Sequence, residues 1–169
     1  GDLTHRKLIP ALYNSFRKGR LPAQIRIVGF ARRPWDDEAF REQLHKGVQE
    51  FSGHYDAVLW QNFASMIHYF KGDLDVESDY GRVADYLQHL EQGTANRLYY
   101  LATAPDYYGP IATHLGFAGL AEENGGIRNL VIEKPFGHNL ETALALNQVV
   151  HSAWKESQIY RIDHYLGKE

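Results

Sequence analysis

The sequence predicts an α/β fold: a doubly wound parallel sheet with helices on both faces. Three observations predict it. Helical and strand-like segments alternate along the chain. The strand-like segment at residues 25–31 is short, β-rich and nearly continuous in apolar character, as strands covered on both faces are. The helical segments run to about 10–15 residues, the length that parallel crossovers use. No internal repeat or low-complexity linker interrupts the alternation, and 169 residues are by default one domain around one core.

Taken in order, residues 4–18 are predicted helical because Leu8, Ile9, Leu12 and Phe16 recur near helical spacing, and Gly19 suits the position just past the end. Pro10 implies a kink or a restart there, since it has no N–H for the preceding turn. Residues 25–31 form the first strand. Asp36 reads as a helix N-cap, with Trp35 before it and Phe40 four residues after it, the spacing of a hydrophobic staple. Phe40, Leu44 and Phe51 carry that helix's apolar face, and Asp37 is read with Asp36 as a capping residue. Residues 52–65 show no clear period and are assigned no element. Residues 66–70 are strand-like. Residues 79–92 make the cleanest helix, with Tyr80, Val83, Ala84, Leu87 and Leu90 on one face and Gly93 as the stop. A strand at 97–102, a helix at 106–120 and a strand at 127–133 follow. Asn139 caps a helix to about residue 154, and 157–162 is a last, weaker strand.

Composition narrows the function. Lysine and arginine number 18 against 21 acidic residues, a net charge of −3, so the chain has no overall attraction for nucleic acid or an anionic membrane. The absence of cysteine removes disulfides, thiol nucleophiles and thiolate metal ligands. The nine histidines are scattered without ligand spacing, so no metal site is expected. No apolar run reaches the ~20 residues that span a bilayer. There is no Asn-x-Ser/Thr acceptor and no basic-then-apolar leader. A cytoplasmic location is the expectation.

Four segments carry chemistry. Gly1, Asp2 and Leu3 open a helix whose first turns bear His5, Arg6 and Lys7. Free N–H groups and the helix dipole there suit a phosphate, and a solvated helix face would use the same residues. Arg32 and Arg33 follow a strand end, where dinucleotide-binding folds read the adenosine ribose. An acid there selects the 2′-hydroxyl of NAD, and arginine accommodates the 2′-phosphate of NADP. Two exposed loop arginines are the alternative. Glu133-Lys134-Pro135-Phe136-Gly137 follows the apolar run 130–132 at another strand's C-terminal end. Lys134 could hold a phosphate or polarise a hydroxyl there, or stand in solvent. Residues 161–169, Arg-Ile-Asp-His-Tyr-Leu-Gly-Lys-Glu, gather a carboxylate to orient a base and groups to bind an anion.

Residues 161–169 resemble, position for position, the signature of the glucose-6-phosphate dehydrogenase family. Glu133 to Gly137 resembles that family's second lysine motif. Gly1-Asp2-Leu3, with Arg6, Lys7, Leu8 and Pro10, is similar to the tail of its coenzyme loop. Gly29-Phe30-Ala31-Arg32 and Tyr69-Phe70-Lys71-Gly72-Asp73 resemble further segments in the same order. The resemblance implies a Rossmann-like NADP-binding domain over residues 1–155, with the first strand and leading glycines missing. Residues 156–169 would begin the substrate region, whose remainder is absent.

The resemblance further implies hydride transfer from C1 of β-D-glucose 6-phosphate to NADP, with NAD possible, and a homodimer or homotetramer of the full-length protein. Gly1, Asp2, Leu3 and Lys7 would lie against the coenzyme, and Arg32 would read its 2′-phosphate. Ala104, Pro105 and Tyr108 would line the coenzyme cleft. Lys134 would bridge substrate and nicotinamide, while His164, Tyr165 and Lys168 would hold the sugar phosphate. Asp163 would orient a catalytic histidine that the family carries downstream of Glu169, so the 169 residues alone are expected to be inactive. The competing expectations are a shortened nucleotide-binding module without turnover and an NAD(P)-dependent enzyme of another substrate class.

Overall fold

The structure, a computed structural model, describes residues 1–162 and divides into two compact units, Gly1–Asp73 and the residues from Leu74 onward. The first unit opens with a π-helical turn, Thr4–Leu8, that runs into α1, Ile9–Arg17. Pro10 lies in the first turn of α1, directly after the π-helical turn, and the helical backbone runs through it without a break, so the wider turn, in which the Ile9 N–H bonds Thr4, sits where the proline lacks its N–H. Gly19 closes α1 in the left-handed region at φ +64°. Its N–H reaches the Phe16 carbonyl and that of Arg20 reaches Ser15, which completes a Schellman motif.

Strand β1, Ile27–Ala31, pairs in parallel with β2, Ile67–Lys71. Two helices cross between them: α2, Asp37–Phe51, and α3, Ala57–Ala64. The Asp36 carboxylate caps α2 by accepting the Ala39 N–H at 2.8 Å, and the Trp35 and Phe40 rings meet at 6.3 Å, as the staple predicts. Asp37 does not cap. Its Oδ1 accepts the Tyr69 N–H at 2.7 Å, and its Oδ2 meets Arg41 at 3.2 Å and His68 at 3.3 Å. It therefore ties the start of α2 to β2, a long-range contact that capping logic does not foresee. Helix α3 fills the unassigned stretch 52–65, with the Asp56 carboxylate accepting the Leu59 N–H at 2.8 Å. Tyr13, Leu44, Val48, Trp60, Phe63 and Ile67 form the core of this unit.

The second unit begins with α4, Glu77–Glu91. Gln92, at φ 54°, takes the left-handed position that ends it, one residue before the expected Gly93. Three strands then pair in parallel in the order β3, Arg97–Tyr100; β4, Arg128–Glu133; β5, Ile159–Ile162. The crossovers are α5, Tyr108–Phe117, and α6, Leu140–His151. Asn139 caps α6 in a reciprocal box with Thr142. Tyr80, Ile111, Leu115, Leu130, Val150 and Trp154 are buried here. Two buried polar side chains are satisfied from the frame: the Trp154 indole donates to the Ala112 carbonyl at 3.0 Å, and Gln158 donates to Ala121 and Arg128.

The α/β class and parallel pairing match the expectation. The expected single sheet does not, because the described strands pair as one sheet of two and one of three. Among the described residues, β1, β2, β3 and β5 each keep one edge without a partner strand.

Candidate functional site

In an open parallel sheet, ligands bind beyond the carboxyl ends of the strands. In the first unit that end is Ala31, followed directly by Arg32 and Arg33, both exposed. The turn is held from β2: the Tyr69 hydroxyl lies 2.8 Å from both the Ala31 and the Arg33 carbonyl oxygens. Burial pushes the Tyr69 phenol above its ordinary pKa of 10, while the Arg33 charge pulls the other way, so the hydroxyl remains a donor. The Arg33 guanidinium stacks 4.8 Å above the Trp35 ring, which engages it. Arg32 projects from a pinned turn.

The helix start sorts its cations in the same manner. His5 makes an edge contact with Phe51 at 5.9 Å, and Arg6 sits 5.3 Å above that ring while bridging to Asp2 at 3.4 Å. Lys7 is exposed, as are Gly1 and Asp2, and Leu3 is half-buried. The His5 N–H donates to the Gly1 carbonyl at 3.1 Å, so the helical turn starts at the first residue.

In the second unit the parallel register brings Tyr100, Glu133 and Ile162 to one end of the sheet. Ala104 and Pro105 lie just beyond β3 and begin a 3-10 turn, and Tyr108 follows as the first residue of α5. Ala104 is exposed, Pro105 half-buried and Tyr108 fully buried. Lys134 follows β4, with its N–H on the Ile162 carbonyl at 3.3 Å and its residue exposed. The Lys134–Pro135 peptide is cis.

The sequence marks Glu133 only as the first residue of the lysine motif, with no role of its own, and does not single out Tyr100. Glu133 is buried, and the Tyr100 hydroxyl donates to its Oε1 in a short bond. Burial first, and the carboxylate second, hold the Tyr100 phenol well above its usual range; the same two causes raise Tyr108. The strand expected at 97–102 runs past Tyr100, so the sequence does not mark it; β3 ends at Tyr100 in the structure.

A separate cavity of about 220 Å³ lies between β4, β5 and α6, lined by Ile132, Phe136, Leu144, Asn147, Val150 and Arg161. None of the expected site residues lines it. Asp163, His164, Tyr165 and Lys168 lie outside the described residues. Among the described residues no group of three or more potential metal ligands occurs, and no helix is long and apolar enough to cross a membrane.

The family described as "Glucose-6-phosphate dehydrogenase, NAD binding domain" matches residues 1–169. Glucose-6-phosphate 1-dehydrogenase of Chlamydia muridarum is 42% identical over 178 aligned residues, covering 100% of this chain and 35% of that protein. The Bacillus subtilis enzyme of the same name is 39% identical over 173 residues, again covering all of this chain and 34% of its own length. The chain thus spans about a third of the curated relatives it matches. Among solved structures, a glucose-6-phosphate dehydrogenase in complex with its substrate glucose-6-phosphate superposes with a TM-score of 0.90 at 32% identity, over 100% of this chain and 35% of that one. The Mycobacterium avium glucose-6-phosphate 1-dehydrogenase gives 0.86 at 29%, over 99% and 35%. The chain belongs to the glucose-6-phosphate dehydrogenase NAD-binding-domain family.

Proposed function

We propose that the complete polypeptide oxidises β-D-glucose 6-phosphate at C1 to 6-phosphogluconolactone and reduces NADP to NADPH, with residues 1–155 as the coenzyme domain and 156–169 opening the substrate region. The observation that carries this reading is the family match over the whole chain, joined to cations presented at strand ends. The residues fit a phosphate-bearing coenzyme: Arg32 is exposed on a turn pinned by Tyr69, and Lys134 is exposed at the end of β4.

Arg32 binds the coenzyme 2′-phosphate, and Gly1, Asp2, Leu3 and Lys7 meet its backbone side. Ala104, Pro105 and Tyr108 line the cleft, and Lys134 bridges substrate and nicotinamide. His164, Tyr165 and Lys168 hold the sugar phosphate, whose remoteness from C1 makes its binding energy a positioning device. Asp163 orients the histidine that takes the C1 hydroxyl proton, fixing its tautomer and stabilising its charged form. The nicotinamide, when bound, accepts the hydride. A cytoplasmic homodimer or homotetramer belongs to the same proposal.

The test is NADPH formation by the complete polypeptide given glucose 6-phosphate and NADP. Turnover that requires both supports the reading, and binding of NADP without turnover reduces the protein to a nucleotide-binding module. Turnover with a different sugar phosphate alone would place it in another substrate class.

A further inference from the structure

The turn that carries Arg32 is tied on both sides of that residue by one atom. The Ala31 carbonyl before it and the Arg33 carbonyl after it each lie 2.8 Å from the Tyr69 hydroxyl. Both carbonyls also accept a backbone N–H, Ala31 from Gly72 at 3.0 Å and Arg33 from Trp35 at 2.9 Å. Neither therefore needs the hydroxyl to be satisfied. What the hydroxyl adds is a fixed spacing of the backbone around Arg32. Tyr69 is itself held firmly: it is 7% exposed, and its ring meets Phe40 at 4.9 Å and Trp35 at 5.9 Å. Its N–H donates to the Asp37 carboxylate at 2.7 Å. It reaches the turn from β2, 38 residues from Ala31 and 36 from Arg33.

We propose that Tyr69 is a positioning residue for coenzyme selectivity: its hydroxyl fixes the backbone on both sides of Arg32, so the guanidinium meets the 2′-phosphate from a turn that is already ordered. The inference rests on the reading of Arg32 given under the proposed function. Ordering a loop on binding costs affinity, and a turn ordered beforehand avoids that cost. A residue that acts only through Arg32 strengthens the hold on NADP and does nothing for NAD, whose ribose carries no 2′-phosphate.

The test is steady-state kinetics of the complete polypeptide with each coenzyme, for the wild type, Tyr69→Phe, Arg32→Ala and the double variant. Tyr69→Phe keeps the ring in the core and the backbone bond to Asp37, so the fold is retained and only the hydroxyl is lost. The KM for NADP should rise about three- to tenfold, the range expected for one hydrogen bond, while kcat and the KM for NAD stay unchanged. In the Arg32→Ala background the same substitution should alter neither KM, because the group it positions is gone. A purely structural role predicts that both coenzymes weaken by one factor, or that the KM for NADP rises equally with and without Arg32. Either result overturns the proposal, as does an unchanged KM for NADP in Tyr69→Phe. Equal losses for NADP and NAD in Arg32→Ala alone overturn instead the reading of Arg32 on which the proposal rests.

Discussion

At the scale of single residues, the structure separates cations that pack from cations that face outward. All four residues Arg6, Lys7, Arg32 and Arg33 are exposed, but Arg6 and Arg33 lie over aromatic rings. Glu156 gives a further residue-scale prediction. Its carboxyl is held down to about 2, first by hydrogen bonds from Arg161 and then by His151. A carboxyl lowered in the folded state stabilises that state above its ordinary pKa of 4.5, and the contribution is lost as pH falls through about 2. Glu156→Gln should therefore flatten the stability profile across that acid window and leave neutral-pH activity of the complete enzyme unchanged. Stability measured by denaturant unfolding at several acid pH values checks it; an unaltered slope contradicts it.

At the scale of elements, most of the fold was legible because short-range chemistry decides it. The Asp36 cap and staple, Asn139 with Thr142, and Gly19 all sit where spacing places them. Helix α3 was not legible: six of its eight residues are apolar, so no polar face marks a period, and Val58 is 71% exposed while Trp60 and Phe63 are buried. Asp37 was misassigned because its partners Tyr69 and His68 lie 32 and 31 residues away. That contact predicts that Asp37→Ala, which strands the Tyr69 N–H and part of Arg41, destabilises the protein by about 1–3 kcal/mol, the cost of unpaired buried groups. Asp36→Ala should cost about 1 kcal/mol by comparison, as the loss of an N-cap does. Denaturant midpoints of the two variants check the order.

At the scale of the whole chain, the parallel α/β class was legible from alternation, whereas the division into two sheets was not, since strand order is a matter of pairing between distant segments. The same limit governs the site. The lysine motif at 133–137 announces itself in sequence, but the Tyr100–Glu133 bond crosses 33 residues and emerges only from the β3–β4 register. That Arg32 follows a strand end was legible from the sequence, and the structure adds the Tyr69 hydroxyl that pins its turn. In the proposed function this chain is the coenzyme-binding part of an NADP-linked dehydrogenase, and Arg32 is the residue that distinguishes the phosphorylated ribose. The measurement that tests this most directly is the coenzyme preference of Arg32→Ala in the complete polypeptide. A charge-assisted phosphate contact of ~1.5–3 kcal/mol corresponds to about 10–100-fold. The KM for NADP should rise by that factor while the KM for NAD stays nearly unchanged; equal losses for both coenzymes would contradict the account.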